Sequence, residues 1–289
     1  MKKLNFIKRS NGKHWVGDGF HVNNIFSYND IHAEMSPFLM LDYASPTTFE
    51  PTTRQRGVGV HPHRGMETVT LIYAGEVAHR DSAGAGGTIG PGDVQWMTAA
   101  SGLVHEEFHS PAYARTGGPF EMVQLWVNLR AKDKMSPPSY QGITHDQIPR
   151  FELPEQAGQV RVIAGDYQAT PGAARTLSPM NLWDLAIEPG KTVRLTLPEG
   201  HTATLFVMRG GIEVDGQRVG PAELAVLERT GTELEFTALE ATTLLMLGGE
   251  PLNEPVVGHG PFVMNTEAEI HQAFHDFHAG RMGQIAATV

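Results

Sequence analysis

The chain has no cysteine among its 289 residues, which excludes disulfides, thiol switches and the thiolate-closed tetrahedral sites common in structural zinc proteins. Any redox behaviour must come from a bound metal. Cationic surplus is missing too: 22 lysines and arginines stand against 32 acidic residues, a formal charge of −10. That argues against a nonspecific grip on nucleic acid, because phosphate binding needs a cationic surface. No apolar run is long enough to span a bilayer. The stretch Met1 to Ser10 carries charge with no apolar segment behind it, so it does not read as a signal peptide, and the expected compartment is the cytoplasm, with no membrane partner.

Helical periodicity is also scarce, whereas 32 glycines and 19 prolines are present, which favours many short strands joined by tight turns. The length suits two domains, each able to bury a core. A weak internal repeat supports two related sandwiches: Leu71-Ile72-Tyr73-Ala74-Gly75-Glu76-Val77 has the pattern of Phe206 to Val214, and Gly92-Asp93-Val94 that of Ala222-Glu223-Leu224. Between them Lys132 to Ser139 is polar and proline-broken, so the expected division is 1–135 and 136–289. Near the end, Thr266-Glu267-Ala268-Glu269 forms a capping box ahead of Ile270, Ala273, Phe274 and Phe277 at helical spacing, which predicts a C-terminal helix ended by Gly280.

The chemistry concentrates in His61-Pro62-His63 and, about forty residues later, His105-Glu106-Glu107. Successive side chains of a strand point to opposite faces, so His61 and His63 share a face, as do His105 and Glu107. Two such strands side by side would converge three imidazoles and one carboxylate. On octahedral iron, manganese, cobalt or nickel that set leaves two open positions for water, oxygen or substrate. Glu106 points the other way. Pro111 is expected to end the second strand, which makes His109 a nonligand. His79 is expected to be hydrogen-bonded or to line the pocket mouth. His271, His275 and His278 read as a solvated helix face. Matching Gly75 with Gly210 puts Thr196 and Pro198 where His61 and His63 stand, and matching Gly92 with Gly220 puts Glu233 and Glu235 where His105 and Glu107 stand, so no metal is expected at these places in the second half.

The order of an H-x-H strand, a variable loop with the turn Pro91-Gly92-Asp93, and a later histidine strand resembles the two cupin motifs. Glu67 is the rival carboxylate that a resemblance to cupins implies, since many of them place a ligand carboxylate a few residues after H-x-H. The fuller wording, His61-Pro62-His63-Arg64-Gly65-Met66-Glu67-Thr68-Val69-Thr70, His79-Arg80-Asp81-Ser82, Pro91 to Ala99, Gly249 to Val257 and Gly260 to Thr266, resembles the pirin family over most of the chain. The resemblance implies an all-β bicupin, two tandem cupin β-sandwich domains with a C-terminal α-helix, and one metal in the first cupin. The implied ligands are His61, His63, His105 and Glu107, with Glu107 also the catalytic base. The implied metal is iron(II), with manganese, cobalt, nickel, copper or zinc as alternatives. It further implies a quercetin 2,3-dioxygenase-like activity on a flavonol and O2, opening the ring with loss of carbon monoxide, with Phe38 and Trp96 as candidates for an apolar pocket wall. The alternative implied by other pirins is a non-enzymatic, iron-dependent regulator that binds a protein partner. The same four ligands serve both.

Overall fold

A computed structural model describes residues 1–285. Strands dominate, and they assemble into two compact units, each built from a seven-stranded and a four-stranded antiparallel sheet. The plan is the expected all-β pair of cupin domains with a C-terminal helix. Among the described residues no helix is long and apolar enough to cross a membrane.

The unit formed by Met1–Asn11, Ile31–Pro37 and Asp146–Pro251 has a large apolar core between its two sheets. Its strand Thr192–Thr196 alternates exposed and buried residues, with Val193 and Leu195 turned inward, as a sheet with one wet face requires. Val193, Leu195 and Phe236 of the smaller sheet pack with Val162, Leu185 and Leu205 of the larger one. In this unit Thr196 pairs with Glu233.

The other unit consists of Gly12–Asp30, Phe38–His145 and the chain from Leu252 onward. Its larger sheet runs in the order Ser139–Ile143, Val94–Thr98, Met66–Ala74, Gly118–Asn128, Phe38–Phe49, Phe20–Phe26, Lys13–Val16. Its smaller sheet runs Gly57–His63, Leu103–His109, Val77–Asp81, Gly86–Ile89. The helix Glu267–His278 carries the expected capping box, with Thr266 accepting from the Glu269 amide while the Glu269 carboxylate accepts from the Thr266 amide. Its Ile270 and Ala273 pack with Val104, Phe262 and Met264.

The units are not the contiguous halves expected on either side of residue 135. The first strand, Leu4–Arg9, pairs with Glu223–Leu227 of the later unit. The C-terminal helix packs in the earlier one, where Asp276 holds the Arg64 guanidinium at 2.9 Å. The polar stretch 132–139 does not end the earlier unit either, because Ser139–Ile143 pairs with Val94–Thr98 and extends its sheet. Lys134 inside that stretch is only 1% exposed. Its Nζ donates to Gly65 O at 2.7 Å, Asn128 Oδ1 at 2.6 Å and Val263 O at 2.8 Å. A buried cation is tolerated when its donors are all taken, so a residue that reads as linker is a three-way tie.

Replacing Lys134 by Met would remove all three bonds, with Asn128 Oδ1 keeping only the Leu129 amide at 3.0 Å. The expected loss is about 2–4 kcal/mol of stability, seen as a lower urea midpoint; an unchanged midpoint would show that the tie contributes nothing.

Candidate metal centre

The H-x-H strand is an edge strand, and that is what allows Pro62 within it, since proline has no amide to give to a neighbour on its free side. Glycines bracket the strand. A Cβ on Gly57 would sit 2.1 Å from the Glu107 carbonyl oxygen, and one on Gly65, whose φ is +81°, would sit 2.0 Å from that of Val263. Only glycine allows these approaches. Between them the antiparallel register places His61 directly opposite His105.

The rings of His61, His63 and His105 meet, with centroids 4.2 Å apart for His61 and His105, 5.0 Å for His61 and His63, and 4.9 Å for His63 and His105. One nitrogen from each lies within 4.8 Å of the others. Two ligands bound to one metal at about 2.1 Å are at most about 4.2 Å apart, so small side-chain motions close the set. His61 Nδ1 lies 2.8 Å from Gly59 O, which as a donor leaves Nε2 for a metal. His63 Nδ1 and His105 Nε2 are buried and have no hydrogen-bond partner. Orphaned buried polar atoms are rare in folded proteins, and two on neighbouring rings fit a cation. Burial, reinforced by the neighbouring imidazoles, holds His63 and His105 well below the usual histidine range, so both present neutral nitrogens, the form that binds metals.

Glu107 does not join this trio at the same distance. Its carboxylate groups instead with His105 and His79, again within 4.8 Å. The cause is a bulge: His105 pairs with His61, but Glu107 pairs with Val58, so the alternation that aligns His61 with His105 slips by one residue before Glu107. Gln95 Nε2 donates to Glu107 Oε1 at 2.9 Å, and the Tyr140 hydroxyl lies 3.2 Å from Gln95 Oε1. Glu107 still lines the same cavity as His61 and His63, of about 410 Å³, walled by Phe20, Met40, Met122 and Trp126 among others.

That cavity lies against a row of polar residues that cross the larger sheet in register. Asn24 pairs with Asp42, Asp42 with Gln124, Gln124 with Thr70, and Thr70 with Gln95. Asn24 Nδ2 donates to Asp42 Oδ1 at 2.8 Å, and the Thr70 hydroxyl donates to Gln124 Oε1 at 2.7 Å. Burial pushes the Asp42 carboxyl up. Sequence reasoning missed this row and the walls, because each strand contributes only one or two of these residues.

The other sequence candidates fall elsewhere. Phe38 and Trp96 are fully buried and do not line the cavity. Glu106 turns away and accepts from Arg80 Nε at 2.8 Å. His109 Nε2 lies 2.9 Å from Gly19 O, and its ring packs against Phe49 and Phe120. Glu67 belongs to neither metal-type group; its Oε1 accepts from the Thr98 hydroxyl at 2.7 Å, and burial pushes its carboxyl up to about 7. His79, expected to be hydrogen-bonded or at the pocket mouth, is buried beside His105.

Comparison with known proteins adds a family. The Pirin family model matches residues 19–127, and the Pirin C-terminal cupin domain model matches 182–283. A Pseudomonas aeruginosa protein named "Putative quercetin 2,3-dioxygenase" is 54% identical over 97% of this chain and 98% of its own length. Human pirin is 36% identical over 86% of this chain and 83% of its own. A crystal structure of quercetin 2,3-dioxygenase from Acinetobacter baumannii superposes with a TM-score of 0.96 at 53% identity, covering 99% of this chain and 100% of that one.

Glu67 yields a pH prediction. Its folded pKa lies above the unfolded value of 4.5, so its contribution is fully present below about 4.5 and is lost as pH rises towards about 7. Glu67→Gln should therefore gain stability relative to wild type across that window, by roughly 3 kcal/mol at most, and stay level above it. Chemical denaturation at several pH values measures this; a pH-independent difference would contradict it.

Proposed function

The chain belongs to the pirin family, and on that premise we propose that it is a dioxygenase that opens a flavonol such as quercetin with O2, using one divalent metal, iron(II) first, on His61, His63, His105 and Glu107. The observation that carries this reading is the convergence of three imidazoles, two of which, His61 and His63, line an apolar cavity of about 410 Å³ together with Glu107. That volume lies in the range of roughly 300–1,000 Å³ common for small-molecule pockets. The similarity to a solved quercetin 2,3-dioxygenase supports the choice of substrate class.

When bound, the metal would supply Lewis acidity at the flavonol 3-hydroxyl and 4-carbonyl. The chain's own residues do the rest. Phe20, Met40, Met122 and Trp126 hold the flat rings and exclude water. Gln95 occupies Oε1 of Glu107, which leaves Oε2 to face the ligand and take the 3-hydroxyl proton as general base. The neutral forms of His63 and His105, enforced by burial, keep both nitrogens available without prior deprotonation.

The test is anaerobic loading with iron(II), elemental analysis, and parallel recording of flavonol absorbance and oxygen uptake. Wild type should hold one metal per chain and consume both substrates. His61→Ala should lose metal and activity while keeping its unfolding midpoint. Glu107→Gln should lower kcat by about 10²–10⁴-fold, and Glu106→Gln should behave as wild type. A loaded protein that leaves flavonol and oxygen untouched would overturn the enzymatic reading in favour of a metal-dependent binding module.

A further inference from the structure

The most constrained feature beside the imidazole cluster is a chain of three side chains that ends on it. The strands Val77–Asp81 and Leu103–His109 pair so that Asp81 lies opposite His105 and His79 opposite Glu107. Asp81 Oδ2 is 3.2 Å from His79 Nε2, and His79 Nδ1 is 3.3 Å from His105 Nδ1. The side chains of His79 and Asp81 are at most 1% exposed, and the His79 ring is stacked on Tyr140 at 5.1 Å and 12°. Neither ring is free to turn, and no solvent competes for these contacts.

We propose that Asp81 and His79 are positioning residues that fix the tautomer of His105 and thereby aim its free lone pair at the metal. Asp81 is a pure acceptor, so the proton between it and His79 sits on His79 Nε2. His79 Nδ1 then carries a lone pair and accepts. The proton shared with His105 sits on His105 Nδ1, and His105 Nε2 is left with a lone pair. That atom is the one found buried and unpartnered, on a ring that has one nitrogen within 4.8 Å of a nitrogen of His61 and of His63. An N–H there would be an orphaned buried donor, rarer than an orphaned acceptor. Carboxylate and histidine partners behind a ligand histidine act this way in metal sites generally, and their loss costs about 10–100-fold in metal affinity. The inference rests on reading the imidazole cluster as a metal site.

Asp81→Asn separates this role from a structural one. Asp81 Oδ1 accepts the amides of Ala83 and Ala85, both at 2.9 Å. In the variant the amide oxygen remains pinned there and the NH2 group faces His79. The whole chain of protons then reverses: His79 Nε2 must accept, His79 Nδ1 donates to His105 Nδ1, and His105 Nε2 acquires the proton. Long-range proton–nitrogen NMR on metal-free protein labelled with 15N-histidine reads this directly. The expected result is His105 protonated at Nδ1 in wild type and at Nε2 in Asp81→Asn. Cobalt(II) affinity, measured by competition with a chelator, should fall by about 10–100-fold, and the metal-free variant should unfold at a somewhat lower midpoint, because His105 Nε2–H is then a buried donor without a partner. Wild type with His105 protonated at Nε2 would overturn the proposal, as would a reversed tautomer with unaltered cobalt affinity. The wild-type spectrum needs no variant, so misfolding of Asp81→Asn leaves the decisive measurement standing. If wild type takes up no cobalt, the reading of the cluster as a metal site fails, while the His105 tautomer still decides the relay.

Discussion

The pairing of Gly57–His63 with Leu103–His109 is the constraint on which the candidate site depends. The two strands must lie in the register that sets His61 opposite His105; a slip of one residue would turn every side chain to the other face. Several features hold that register. The close approach at Gly57 admits no side chain. Arg64, immediately after the histidine pair, is tied to Ser101 O at 2.7 Å and to Asp276 of the C-terminal helix at 2.9 Å. Lys134 fastens the Gly65 carbonyl to the hairpin that leads into that helix. The C-terminal segment thus belongs structurally to the H-x-H strand, although some two hundred residues of chain separate them.

Around the imidazoles the structure solves an electrostatic problem. A cluster of buried histidines cannot be protonated without large desolvation and mutual repulsion, so the same packing that brings the rings together keeps His63 and His105 neutral. Opposite them, the polar row from Asn24 to Gln95 gives a deeply buried sheet face the hydrogen bonds it needs, and Gln95 passes one of them to Glu107. The cavity is therefore apolar along its walls and polar at the points where a hydroxylated ring could be oriented. Fold alone carries many chemistries; these side chains narrow them.

Much of this was legible in the sequence because the strand period is two. H-x-H and H-x-E each declare a shared face, and the family resemblance joined them. The C-terminal helix was legible from its capping box and apolar stripe. Three things were not. The exchange of segments between the units depends on Leu4–Arg9 finding Glu223–Leu227 and on the helix finding Val104 and Phe262, pairings that no local pattern encodes. Lys134 looks like linker because polarity says nothing about acceptors far along the chain. The offset of Glu107 from the imidazole trio comes from a bulge, invisible to simple alternation. His79-Arg80-Asp81 has the same two-residue spacing as H-x-H, so a shared face was readable there, while its contact with His105 was not.

The central claim is that His61, His63 and His105, joined by Glu107, hold a single divalent metal. Anomalous diffraction at the cobalt edge from cobalt(II)-loaded crystals tests it most directly. The account predicts one strong peak per chain, about 2.1 Å from one nitrogen of each of the three histidines and in contact with the Glu107 carboxylate. A peak that leaves His61 and His63 untouched, or no peak in this cavity, would contradict it.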